Sequence, residues 1–97
     1  MSTIDVRRTH TLPREEARRR AEELARTTQQ RFDLEWHWEG DRIVFEARRG
    51  AAKGTRGSVD VSERDVRVQI DLPLMLRVMK SAVESKVQEK LGKALSV

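Results

Sequence analysis

The sequence predicts an α+β fold: a two-layer sandwich in which an antiparallel sheet of about five strands carries two helices on one face, in the order β-α-β-β-β-β-α. Three observations lead there. Five short segments alternate apolar and polar residues, so each strand has one apolar side and one wet side. Two longer segments repeat apolar residues every three or four positions, the mark of a helix with one buried stripe. The stretch "LEWHWEGDRIVFE" (residues 34–46) holds both tryptophans and folds back on itself, with its large apolar groups on one side.

Taken in order, "TIDVRRTH" places Ile4 and Val6 on one side of a strand and Asp5 and Arg7 on the other. "TLP" opens a helix, because Pro13 suits a first turn in which its missing N–H is not needed. Glu15 and Glu16 sit where the helix dipole favours negative charge. Ala17, Ala21, Leu24, Ala25, Thr28 and Phe32 form the stripe, and the helix runs to about Arg31. In the next segment, Gly40-Asp41 makes a two-residue hairpin turn, with Gly40 supplying a positive φ. That turn sets the register: Glu39 opposite Arg42, Trp38 opposite Ile43, His37 opposite Val44, Trp36 opposite Phe45, and Leu34 opposite Ala47. A slip of one residue would mix the tryptophans with charges, so they are expected to be largely buried core.

"EARRGAAKGTRG" reads as a mobile loop, about residues 48–57. "SVDVSERDVRVQIDL" is a second hairpin, closed by Ser62 to Asp65, which pairs Val61 with Val66 and Val59 with Val68. From Pro73 a second helix extends over about 73–95. Its stripe is Leu76, Met79, Val83, Val87 and Leu91, widened at the start by Met75, Val78 and Ala82. That helix is longer than the strands it crosses, so its first part is expected to be core and the part beyond about Val87 to overhang and make contacts.

The composition bounds the function. Ninety-seven residues make one domain, 1–97, with a core too thin for a roomy enclosed active site. The chain has no cysteine, so disulfides and thiolate metal sites are excluded. No apolar run long enough for a signal peptide or a bilayer span occurs, and a cytoplasmic location is expected. A net charge of +4 favours acidic partners.

No motif carries catalysis. His37, flanked by Glu35, Glu39 and Glu46, falls on the wet face, where nothing excludes water, and spacing indicates no third metal ligand. His10 lies on a different strand. The serines lack a nucleophile elbow, and "GAAKGTRG" lacks the spacing of a phosphate loop. No enzyme activity, cofactor or metal is therefore expected. Arg48, Arg49, Lys53 and Arg56 form a candidate anion contact, because phosphate contacts need charge and little else. The aromatic residues that would stack bases are assigned to the core, which argues against a base-reading sheet surface.

"VRRTHTLPREEARRRAEELA", the tryptophan hairpin, "VDVSERDVRVQIDLPLML" and the Lys-rich terminal helix together resemble the polyhydroxyalkanoic acid system proteins. The resemblance covers nearly the whole chain; its most specific parts are "HTLPREEA" and "VRVQIDLPLML". The chain departs from the family pattern in "RTTQQRF" and "ARRGAAKGTRGS". The resemblance implies a small bacterial protein acting in polyhydroxyalkanoate storage-granule metabolism, and it supplies no catalytic residue. The resulting expectation is a non-enzymatic accessory protein that meets the granule surface, or a granule-associated protein, through its terminal amphipathic helix. Met75, Met79, Val87, Leu91 and Leu95 are the contact residues. The alternative is a nucleic-acid-binding module using the 48–56 loop, and a third reading is a homodimer joined by the last helices.

Overall fold

A computed structural model describes residues 3–96. The elements are β1 (Ile4–Thr9), α1 (Arg14–Phe32), β2 (Leu34–Glu39), β3 (Arg42–Ala47), β4 (Arg56–Val61), β5 (Asp65–Asp71), a 3₁₀ segment (Leu74–Met79) and α2 (Lys80–Ala94). One antiparallel sheet holds all five strands in the order β1-β5-β4-β3-β2. β1 and β2 are thus its two edges, because α1 carries the chain from one side of the sheet to the other before the two hairpins fill the gap.

Both hairpin registers are those expected from the sequence. Trp38 faces Ile43, Trp36 faces Phe45 and Leu34 faces Ala47 across β2 and β3, while Val61 faces Val66 and Val59 faces Val68 across β4 and β5. Gly40 has the positive φ, 64°, that the two-residue turn requires. The registers align inward residues in rows across the sheet. One row runs Val6, Val68, Val59, Ile43, Trp38; the next runs Ile4, Ile70, Gly57, Phe45, Trp36. Against these rows pack Ala17 and Ala21 of α1, Leu91 of α2 and Leu95 at its C-terminal cap, so the core lies between the sheet and the two helices.

Gly57 belongs in its row for a steric reason. A Cβ at that position would fall 2.3 Å from Cζ of Phe45 and 2.5 Å from the Gln69 carbonyl oxygen. The phenyl ring lies across the glycine and fills the volume that a side chain would take.

α1 is fastened to the β2–β3 hairpin by polar groups along one face. Arg14 and Arg18 both pair with Asp41 in the turn, and Arg18 also donates to the Gly40 carbonyl at 3.0 Å. The Arg18 guanidinium stacks on the Trp38 ring, 4.0 Å from its centroid. The two indole N–H groups donate to Glu22 (Trp38, 2.8 Å) and Gln29 (Trp36, 3.0 Å). Both tryptophans are half-buried rather than largely buried. They stand on an edge strand, where neighbours lie on one side only, and their polar edges reach the rim of the helix.

Other boundaries shift for identifiable reasons. Pro13 precedes α1 instead of beginning it, and its carbonyl accepts the first helical bond from Ala17 at 2.9 Å. The segment after β3 is shorter than expected, since Arg56 and Gly57 belong to β4. Residues 48–55 are tied by backbone bonds, Gly54 N–H to the Ala47 carbonyl (2.9 Å) and Ala47 N–H to the Thr55 carbonyl (2.8 Å) among them. The largest change concerns the chain after Pro73. It makes 3₁₀ turns over 74–79 before the α-helix starts at Lys80.

Two substitutions test this packing. Gly57→Ala is expected to destabilise by about 1–3 kcal/mol, because the ring of Phe45 must move off its position. Trp36→Ala is expected to cost about 2–3 kcal/mol, less than a fully buried tryptophan would. Urea unfolding followed by circular dichroism measures both; a neutral Gly57→Ala would show that the Phe45 ring is not held over β4.

Candidate surface-contact site

The outer face of the sheet is a lattice of compensated charge. Arg7 and Arg67 face each other across β1 and β5, and each meets an aspartate: Arg67 donates twice to Asp5 (3.0 and 2.6 Å), and Arg7 lies 3.8 Å from Asp65. Arg42 donates to Asp60 at 2.6 Å. Pairs this exposed add little stability each, but they offset the basic charge of the strands that carry them. His37 is exposed and lies 2.8 Å from Glu39. His10, at the end of β1 on the opposite edge of the sheet, is instead a buried tie. The Leu12 N–H donates to its Nδ1 at 3.2 Å, so Nε2 carries the proton and donates to the Ser62 carbonyl at 2.9 Å. The two histidines do not meet. Among the described residues no group of three or more His, Cys, Asp or Glu side chains is placed to hold a metal ion.

Three of the four candidate anion contacts are already engaged. Arg48 donates to Glu46 at 2.9 Å and lies 3.2 Å from Glu35. That hydrogen bond to Glu46, and the charges of Glu35 and Glu46, hold the Arg48 guanidinium more firmly protonated. Arg49 pairs with Asp33 at 2.9 Å and Arg56 with Glu46 at 3.5 Å. Of the four, only Lys53 has no carboxylate partner among the described residues.

The proposed apolar contacts divide sharply. Leu91 and Leu95, expected on an overhang, are 1% and 6% exposed and belong to the core. Val87 is half-buried against it. α2 is about 22 Å long at 1.5 Å per residue, so it matches the strands and has no overhang. Its C-terminal end packs beside the start of α1, where Arg20 donates to the Ala94 carbonyl at 3.1 Å and also to the Ser96 carbonyl. At the other end Met75 and Met79, two of the named contacts, are exposed at 88% and 51%, and so are Leu74 at 79% and Val78 at 88%, which were expected in the core. Leu76 alone of this run's apolar residues packs against the core. Arg77 and Lys80 lie alongside, both exposed.

The helical stripe does not mark Leu74 and Val78 as surface residues, though a signal for them exists. Five of the six residues in "LMLRVM" are apolar. At 100° per residue they would spread over about 200° of a helix, wider than the stripe of roughly 100° that one packed face buries.

This is a two-layer α+β domain whose most prominent surface feature is a short apolar segment between the sheet and its last helix. The chain belongs to the family described as "Putative polyhydroxyalkanoic acid system protein", whose family model matches residues 4–95. No curated protein matches the sequence. Among solved structures, the crystal structure of TTHA0849 from Thermus thermophilus is similar at 18% identity and a TM-score of 0.40, covering 95% of this chain and 92% of that one. A likeness that low carries no argument here. Among the described residues no helix is long and apolar enough to cross a membrane.

Charge pairing on α1 has a consequence for acid stability. Hydrogen bonds from Arg19 and then Arg20 lower the Glu16 carboxyl from its ordinary 4.5 to about 2. Its ionised form is thus favoured by folding, so its contribution is present above about pH 4.5 and is lost as the pH falls toward 2. Glu16→Gln should flatten the fall in melting temperature between pH 4.5 and 2 relative to the unsubstituted protein. Parallel melting curves would show that the ion pairs do not outlast the solvent around them.

Proposed function

We propose that this protein is a non-enzymatic accessory protein of polyhydroxyalkanoate granules, and that Leu74, Met75, Val78 and Met79 adsorb it to the granule surface. The family supplies the granule context. The observation that carries the mode of contact is the exposure of four large apolar side chains, each by more than half, on one six-residue segment. Side chains of this kind in water are a standing cost, and each contributes about 1.5–3 kcal/mol when fully buried. Methionines adapt to an irregular surface. Arg77 lies within the segment and Lys80 directly follows it, so an anionic surface would add attraction without replacing the apolar contact. A granule in the cytoplasm presents such a surface, and the protein would be found there.

The nucleic-acid alternative has less support, because Arg48, Arg49 and Arg56 already face carboxylates and would have to give them up. Val87, Leu91 and Leu95 leave the contact surface under this reading, since two are core and the third is half-covered.

Co-sedimentation with polyhydroxyalkanoate particles tests the proposal, at low salt and at about 1 M salt, where the Debye length is roughly 3 Å. The unsubstituted protein should stay on the particles at both. Combined Leu74→Ser, Met75→Ser and Val78→Ser should cut retention at high salt by at least about tenfold, since tenfold is only about 1.4 kcal/mol. The variant should keep its circular dichroism spectrum, because exposed positions contribute little to stability. Undiminished retention of that variant would overturn the assignment of the contact.

A further inference from the structure

The sheet row beside the 3₁₀ segment contains an anomaly. Leu34 faces Ala47, whose backbone exchanges hydrogen bonds with Gly54 and Thr55. Continuing the β4–β5 register one step past Arg56 and Asp71 sets Thr55 beside Leu72. The inward row Leu34, Ala47, Thr55, Leu72 is therefore apolar except for one hydroxyl. Thr55 is 8% exposed, and its Oγ1 is buried with no hydrogen-bond partner. Burying a hydroxyl unpaired is destabilising, and a valine of nearly the same shape would avoid that cost.

The segment that leaves this row is weakly built. Pro73 follows Leu72, and its Cβ lies 3.2 Å from where a Cβ on Gly54 would stand, so the chain turns away directly beside Thr55. Six residues of 3₁₀ helix exceed the three or four that are common. Leu76 packs inward, and the Arg77 Nε–H donates to the Leu72 carbonyl at a long 3.3 Å. Val83 and Val87 of α2, and Leu24 and Ala25 of α1, are half-buried, so the apolar packing above the sheet is incomplete on both helices.

We infer that Thr55 is the polar anchor of a binding site for a single strand of aliphatic polyester, entered by displacement of the 74–79 segment. The ligand chemistry follows from the site. The donor is one hydroxyl in apolar surroundings, and an esterified hydroxyacid chain offers apolar carbon with carbonyl acceptors and no donor of its own. The Thr55 O–H would donate to one ester carbonyl while the chain's methylene and methyl groups lie on Leu72 and Leu76. The inference rests on the granule reading above and deepens it: the exposed apolar residues meet the polymer surface, and the lifted segment admits one strand of it.

The test is titration of isotopically labelled protein with an acetylated, methyl-ester-capped trimer of 3-hydroxybutanoate, followed by amide chemical shifts. The amides of Thr55, Leu72 and Leu76 should shift. Thr55→Val should bind about tenfold more weakly, the value of one hydrogen bond to a buried donor, and should melt no lower than the unsubstituted protein. Thr55→Ser, which keeps the hydroxyl, should retain the affinity. Equal affinity of the Val and Thr proteins, or no shifts at those amides, would overturn the inference. Particle retention measured on the same proteins separates the two readings. Salt-resistant retention without trimer binding overturns the Thr55 site alone, and trimer binding without retention overturns the surface contact alone.

Discussion

Coverage of one apolar sheet face is the constraint on which this structure depends. Five strands at about 4.8 Å spacing make a face roughly 20 Å wide. Two helices of about 10 Å diameter cover that width with nothing to spare. Neither helix can be moved or shortened without uncovering a row. The narrow stripes fit this need: Ala17 and Ala21 let α1 approach closely, and Leu91 of α2 and Leu95 at its C-terminal cap fill the remaining depth. The outer face takes no part in the core, and its paired charges keep it wet.

With no margin in coverage, local chemistry decides how each edge is finished. On the β2 side the solution is polar. Two indoles lie partly outside the core, and their N–H groups, the Arg18 stack and the paired Asp41 hold the helix rim to the hairpin. Glu22 serves both Trp38 and Arg26, so the ion pair and the indole bond share one carboxylate. On the α2 side the solution is to anchor the far end. Arg20 bonds the last carbonyls of α2 and keeps a second contact with Glu16, which ties the helices where both are best packed. At the opposite end of α2 the helix gives way to 3₁₀ turns, held by inward Leu76 and the long bond from Arg77 to the Leu72 carbonyl.

Some of this was legible in the residues alone, and the reason is physical. Hairpin register is a local property: a two-residue turn with Gly40 admits one alignment, and the alternation of "LEWHWE" and "RIVFEA" enforces it. Strand number and the one-sided core followed from the same period. The exposure of Trp36 and Trp38 was not legible, because it depends on β2 being an edge, which hairpins alone do not specify. Nor was the reversal along the last helix. Periodicity marks which side of a helix is apolar but not which end lies over the sheet. Leu91 and Leu95 carry the same pattern whether they overhang or pack. The orphan hydroxyl of Thr55 was equally invisible, since a threonine at the start of a strand is an ordinary choice there.

The departure at 74–79 sits where sequence and packing disagree, and such places are where function tends to enter a fold. On a helix continuing straight back from Pro73, Leu74, Val78 and Met75 would share an arc of about 100°, with Leu76 about 150° from its middle, so burying Leu76 turns the other three to water. Tighter turns do not bury them either; they bring Leu76 inward and leave the others in water. Replacing them with polar residues would relieve that exposure with little loss to the core, because the core does not use them. A fold selected for stability alone would have polar residues at those positions. Apolar residues kept there, beside Arg77 and Lys80, are the feature on which the proposed surface contact rests.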